Sequence, residues 1–244
     1  RHPNALAFEA VVEGARIGPV RYYSVGGGEV CGDDDAQSSS LYPHSTMGDV
    51  LQACRTAGHS FWEYVVAHEG ESIMGFLCDV WDAMQASVER GLQAEGVLPG
   101  GLGVARKAWN VHRRARDGGQ RSARTGFVAA YALAVAEENA SGGIVVTAPT
   151  CGASGVVPAV IRYIDDTGGE RRDDICRALA TAGLIGTLVK SGASISGAEV
   201  GCQGEVGSAC AMAAAAATQL LGGSIHQIEY AAEMGIEHHL GLTC

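Results

Sequence analysis

The chain has 244 residues, 35 of them glycine, with a formal charge of −10 and aromatic residues at only 6%. The acidic balance argues against a nucleic-acid-binding surface, and 47% hydrophobic residues without a long polar tract exclude general disorder. The longest small apolar run, 209–217, is far shorter than the roughly 20 residues of a membrane span. Since no leader pattern stands at the start of the sequence, we expect a cytoplasmic protein without membrane association.

The first thirty residues predict strands. Segments 6–12 and 20–25 are rich in apolar and aromatic residues, and the glycines at 26–28 predict a turn. A polar stretch at 32–40 is the best candidate for a domain boundary. We therefore expect a short β-rich part at 1–40 and a helical domain at 41–244.

The rest of the chain has helical patterning. Thr46, Ser60 and Ser224 each stand three residues before an acid or amide, which is the capping-box spacing at a helix start. With so few aromatic residues and so many glycines, these helices should pack by close backbone approach. Helices are predicted at 46–57, 60–69, 71–95, 121–140, 153–165, 173–190, 203–221 and 225–239.

A first candidate site is the segment VTAPTCGASG at 146–155, a turn that leads into an apolar helix. Free backbone amides at a helix start can bind a carboxylate or phosphate, and two hydroxyl groups, of Thr150 and Ser154, stand nearby. The segment does not match the P-loop pattern. An ordinary glycine-rich helix entry is the alternative interpretation.

A second segment, 190–207, combines five glycines with Glu199, Cys202 and Glu205. Such a backbone is costly inside a helix and typically brings main chain close to another group. Cys210, in the alanine-rich stretch that follows, is interpreted as a buried packing residue. Lys190 could form a Schiff base with pyridoxal phosphate, but nothing around it favours that cofactor.

The last segment, EMGIEHHLGLTC at 233–244, places His238 and His239 side by side. Adjacent residues on a helix point about 100° apart, so the two imidazoles do not form the i, i+4 pair of a zinc site. The eight cysteines are scattered over a large chain, which argues against a disulfide scaffold. We expect reduced thiols that serve as buried residues, nucleophiles or metal ligands.

Together, TAPTCGASG, SGASISGAEVGCQGEVGSAC and EHHLGLTC resemble the bacterial iron–sulfur-dependent L-serine dehydratases. HPN at 2–4, RYYSVGGGEV at 21–30 and LPGGLG at 98–103 also resemble that family, so the likeness extends over nearly the whole chain. It implies a mainly α protein, with an all-helical catalytic domain after the remnant of a small α/β domain. The sequence departs from the pattern at Cys151, where many relatives have asparagine.

The resemblance implies L-serine ammonia-lyase activity through a [4Fe–4S] cluster, without pyridoxal phosphate. Two cluster ligands would be Cys202 and Cys244, with the third beyond Cys244, so the sequence looks like an interior portion of the enzyme that could be inactive alone. Candidate bases are Glu199, Glu205 and His238, and we expect segments 146–155 and 192–207 to lie together beside the cluster. The resemblance also implies a homodimer that binds L-serine through Thr147, Thr150, Cys151, Gly152, Ala153 and Ser154.

Two other functions remain open at this point. A related cluster-dependent enzyme could release hydrogen sulfide from L-cysteine by the same elimination. A non-catalytic binding or regulatory module could retain the fold, because the family's Ser-Ser-Ser-His-Thr segment is not in this sequence.

Overall fold

The computed structural model describes residues 5–26, 29–32, 41–118, 120–195, 197–238 and 240. Strands occupy the start of the chain and helices most of the remainder, which confirms the predicted mainly α class. The elements are β1 (Ala5–Val12), β2 (Ala15–Gly26), β3 (Glu29–Gly32), α1 (Met47–Ala57), α2 (Phe61–Glu69), α3 (Ser72–Gln93), α4 (Ala108–Asp117), α5 (Gln120–Ala140), α6 (Val156–Gly168), α7 (Arg172–Gly192), α8 (Gly197–Cys202), a π-helical segment (Gln203–Gly207), α9 (Ser208–Leu220) and α10 (Ile225–Glu237).

The strands form an antiparallel sheet in the order β1-β2-β3. Leu6 pairs with Tyr22 and Phe8 with Val20, so these four side chains share one face, where the Phe8 and Tyr22 rings lie 6.0 Å apart. Every residue of β1 is exposed. The sequence predicted two strands; the third, β3, has only four residues and is defined by its pairing with β2 rather than by a pattern of its own.

Local side-chain hydrogen bonds define three helix starts, as the sequence predicted. The Asp49 N–H donates to the Thr46 hydroxyl at the start of α1. Capping boxes begin α2 and α10, where Glu63 and Gln227 accept the backbone N–H groups of Ser60 and Ser224. These contacts satisfy amides that have no partner inside the helix.

Helix α4 was not predicted. Its sequence, AWNVHRRARD, is strongly charged, and only Ala108 and Ala115 among its residues are buried. A carboxylate from α5 holds its first turn, because Glu137 Oε1 accepts the N–H groups of Lys107 (2.6 Å) and Ala108 (3.1 Å). The helix thus depends on a distant residue that a local pattern does not contain.

The core lies around α7 and α9, where small residues let helices approach through their backbones. Ala178, Ala209, Ala215 and Ala216 are all fully buried. A Cβ on Gly235 of α10 would stand 2.8 Å from the carbonyl oxygen of Cys210 in α9, so no side chain fits there. The predicted close packing of helices is therefore confirmed.

The polar stretch proposed as a domain boundary falls mostly on residues 33–40, outside the described residues. The division into 1–40 and 41–244 stays a prediction. In the part of the chain that the structure describes, no helix is long and apolar enough to cross a membrane.

Candidate active site

The turn before α6 is held by its own side chains. The Ala153 N–H is directed to the main-chain oxygen (3.3 Å) and the hydroxyl (3.4 Å) of Thr150, and the Ser154 hydroxyl donates to the carbonyl of Cys151 at 2.8 Å. Thr150 and Ser154 are buried, while Thr147, Cys151 and Gly152 are exposed. The hydroxyl groups of Thr150 and Ser154 therefore form hydrogen bonds inside the turn and stabilise its conformation.

Two amide groups of this turn remain available to a ligand. Among the described residues, the N–H groups of Cys151 and Gly152 have no hydrogen-bond acceptor, whereas those of Ala153 and Ser154 bond to oxygens inside the turn. Both available amides belong to exposed residues of the turn, which leads through the N-cap Gly155 into α6. Such donors can bind a carboxylate.

The glycine-rich segment after α7 has the irregular backbone that its composition predicts. Gly201, inside α8, has φ 72° and ψ −171°, a conformation that side-chain-bearing residues rarely adopt. The chain continues as a π-helical turn from Gln203 to Gly207 before α9 begins. Turns of this kind often occur at functional sites.

Glu205, in the π-helical segment, joins the two predicted segments. Its carboxylate lies close to both Gly152 and Gly197: a Cβ on Gly152 would be 3.2 Å from Glu205 Oε2, and one on Gly197 would be 2.8 Å from the same oxygen. The predicted juxtaposition of 146–155 with 192–207 is therefore confirmed. A carboxylate lies next to two available amide donors.

The other predicted residues are less fully described. Cys202 is exposed at the end of α8 and its sulfur takes part in a disulfide. His238 is exposed at the C-terminal cap of α10. Cys244 and the Glu199 side chain lie outside the described residues, and within the described part no group of three His, Cys, Asp or Glu side chains could hold a metal ion.

The cysteines differ in part from the expectation of reduced thiols. Cys78 of α3 and Cys176 of α7 form a disulfide across 98 residues, and the Cys202 sulfur is also disulfide-bonded, so that expectation was wrong for these three residues. Two helices that pack together bring the Cys78 and Cys176 sulfurs within bonding distance, which sequence spacing cannot reveal. Cys210 is half-buried, and burial raises the pKa of its thiol, in keeping with a packing residue.

A cavity of about 280 Å³ opens beside the turn, on the side of α7. Gly183, Gly186, Thr187 and Lys190 line it at i, i+3, i+4 and i+7 spacing, opposite Thr147, Ala148 and Pro149. Sequence reasoning missed this stripe, although its helical spacing of small residues ending at a lysine is the signal that could have found it. The cavity is large enough for a small metabolite.

Comparison with known proteins agrees with the motifs. The family model of the serine dehydratase alpha chain matches residues 35–244. L-serine dehydratase of Streptomyces coelicolor is 45% identical, and L-serine dehydratase 1 of Escherichia coli 44% identical, each over 259 residues. L-serine dehydratase of Mycobacterium tuberculosis is 43% identical over 262 residues. These matches cover the whole chain but 57% of each relative, so the chain spans little more than half their length.

Proposed function

The chain belongs to the serine dehydratase alpha chain family, and we propose that it acts as an L-serine ammonia-lyase. The reaction eliminates water from L-serine and yields pyruvate and ammonia. A carboxylate-binding group and a base must then face the same small substrate. The curated relatives carry the name L-serine dehydratase, which supports L-serine as the substrate.

The observation that carries the proposal is the position of Glu205 against Gly152. The Cys151 and Gly152 amides bind the substrate carboxylate. A serine held there presents its Cα–H bond toward the neighbouring Glu205 carboxylate. Within the described part of the chain, Glu205 is the candidate base whose carboxylate lies beside the turn. We therefore favour Glu205 over Glu199 and His238 as the base.

Elimination then balances without an external oxidant. Glu205 takes the α-proton, the electrons of the broken C–H bond form the Cα–Cβ double bond, and the β-hydroxyl leaves as hydroxide. The resulting aminoacrylate tautomerises to an imine, which water hydrolyses to pyruvate and ammonia. The turn keeps the carboxylate fixed throughout, so binding and proton removal share one geometry.

The proposed cofactor is a [4Fe–4S] cluster, with no pyridoxal phosphate. Cys202 and Cys244 would be two of its ligands, and once reduced Cys202 fits this role because the residue is exposed next to the Gly201 break, just before the segment that carries Glu205. When bound, an open iron supplies Lewis acidity for the departing hydroxide. The homodimer stays a prediction.

The test uses the protein with any sequence that flanks these residues in its gene, prepared without oxygen and with reductant so that Cys202 is a thiol. We expect bound iron and sulfide, pyruvate formation from L-serine without pyridoxal phosphate, and loss of activity in air. Cys202→Ser should lose the cluster, whereas the matched variant Cys210→Ser should keep it. Iron-free activity in air, dependence on pyridoxal phosphate, or preferential turnover of L-cysteine would contradict the proposal.

A further inference from the structure

We infer that Asn139, at the end of α5, is a positioning residue for the Gly152 amide. Its side-chain Nδ2 donates to the carbonyl oxygen of Cys151 at 3.1 Å. This inference rests on the proposed function, because it assigns to Asn139 the orientation of an amide that binds the substrate carboxylate. Asn139 itself does not contact the substrate.

The peptide unit between Cys151 and Gly152 is held by three hydrogen bonds to its carbonyl oxygen. Its carbonyl accepts from Asn139 Nδ2, from the Ser154 hydroxyl at 2.8 Å and from the Ser154 N–H at 3.4 Å. This peptide bond is not one of the cis bonds of the chain, and in a trans peptide the C=O and N–H groups point in opposite directions. Fixing the carbonyl on one side therefore fixes the Gly152 N–H on the other.

Side chains next to Asn139 hold the end of α5 in place. Glu137 and Glu138 are 5% and 8% exposed. Glu137 accepts the first amides of α4, and Glu138 Oε2 lies 2.9 Å from Arg90 Nε. Arg90 also donates through Nη2 to the carbonyl of Ile144 at 2.6 Å. This hydrogen bond fixes the loop that leads from α5 to the turn. The backbone that carries Asn139 is therefore held in place at the end of α5.

The expected role follows from this geometry. Fixed donors stabilise charge without having to reorient when the ligand arrives. Asn139 provides one of the donors that set the direction of the Gly152 N–H, and it comes from an element outside the turn, whereas Ser154 belongs to the turn itself. Loss of Asn139 should loosen the carboxylate site while leaving Glu205 unchanged.

The experiment compares Asn139→Ala and Asn139→Asp with Ser87→Ala in anaerobically prepared, cluster-containing protein. Asn139→Asp keeps the shape but replaces the donor with an acceptor that faces the carbonyl. Ser87→Ala also removes a buried side-chain hydrogen bond, from Ser87 Oγ to the Met84 carbonyl within α3, far along the chain from the turn. Both Asn139 variants should raise KM for L-serine by about three- to tenfold with a smaller change in kcat, while Ser87→Ala should leave KM unchanged.

Alkylation of Cys151 provides a readout that does not require turnover, because this thiol is exposed and free. L-Serine should slow the alkylation of Cys151 in the protein without substitutions and in Ser87→Ala. In the Asn139 variants, a higher concentration of L-serine should be needed for the same protection of Cys151. If the protein without substitutions neither turns over nor binds L-serine, the proposed function is wrong, and so is this inference. Normal turnover with unchanged KM and protection in the Asn139 variants overturns the inference alone.

Discussion

Gly197 and Glu205 approach so closely that a Cβ on the glycine would stand 2.7 Å from the Glu205 Cδ. The carboxylate is thus seated in space that a side chain at position 197 would occupy. Gly152 also borders the carboxylate. The position of Glu205 therefore depends on two residues that contribute no side chain at all.

The first prediction concerns Gly197→Ala. The new methyl group should displace the Glu205 carboxylate and lower kcat on the order of 10- to 100-fold, since a small misplacement of a reacting group is costly. KM for L-serine should change less, because the Cys151 and Gly152 amides are untouched. The matched control is Gly75→Ala in α3, where a Cβ meets nothing within 4 Å. A normal kcat in Gly197→Ala would remove Glu205 from the mechanism.

The second prediction concerns α4. Glu137→Ala removes the acceptor of the Lys107 and Ala108 amides and should lower the free energy of unfolding by about 1–3 kcal/mol, because buried donors lose their partner. Glu89→Ala is the control, since its ion pair with Arg162 at 3.7 Å is exposed on the glutamate side and should contribute less than about 1 kcal/mol. Urea unfolding measures both, and equal losses would argue against the capping role.

The third prediction concerns pH. Hydrogen bonds from the Ser60 N–H and then from its hydroxyl hold the pKa of Glu63 below its usual value. A carboxyl with a lowered pKa in the folded state stabilises the fold above the unfolded pKa of about 4.3, and this contribution is lost as pH falls through the folded pKa. Glu63→Gln should therefore show a shallower loss of stability in acid than the unmodified protein.

Urea unfolding between about pH 3 and 6 tests this prediction. Gln227 already occupies the same position in the capping box of α10, so glutamine is compatible with the motif. Parallel pH curves for the two proteins would show that Glu63 does not carry the linkage.

The fourth prediction concerns the Cys78–Cys176 disulfide. In the chain-entropy model, closing a loop of about 100 residues stabilises the folded state by about 4–5 kcal/mol, and this bond spans 98. Air-oxidised Cys176→Ala should unfold at lower urea than the unmodified protein, and the difference should disappear under reductant. Mass mapping that finds both thiols alkylated without reductant would refute the bond in solution.

Features that depend on neighbouring residues were predicted well from the sequence. The capping box of Ser224 and Gln227 is one example, and the glycine-rich irregularity around Gly201 is another. The resemblance to the family rested on contiguous motifs of this kind, and it is confirmed.

Contacts between distant residues were not predictable in the same way. Helix α4 depends on Glu137, 29 residues from Ala108, and the Thr150 and Ser154 hydroxyls turn inward because that side of the turn is buried. The proximity of segments 146–155 and 192–207 was predicted only because both carry candidate site residues. The identity of Glu205 as the residue that joins them required the fold.

Three glycines each face a main-chain carbonyl of another helix. Gly91 faces that of Ala134, Gly155 that of Ala132, and Gly235 that of Cys210. A main-chain atom cannot rotate away from an added methyl group as the end of a side chain can. Substitution is therefore restricted at Gly91 and Gly235, which lie outside the candidate site, as well as at Gly155 within it. A survey of all single substitutions should rank these glycines among the least replaceable residues of the chain, because no change of rotamer can make room for the added methyl group.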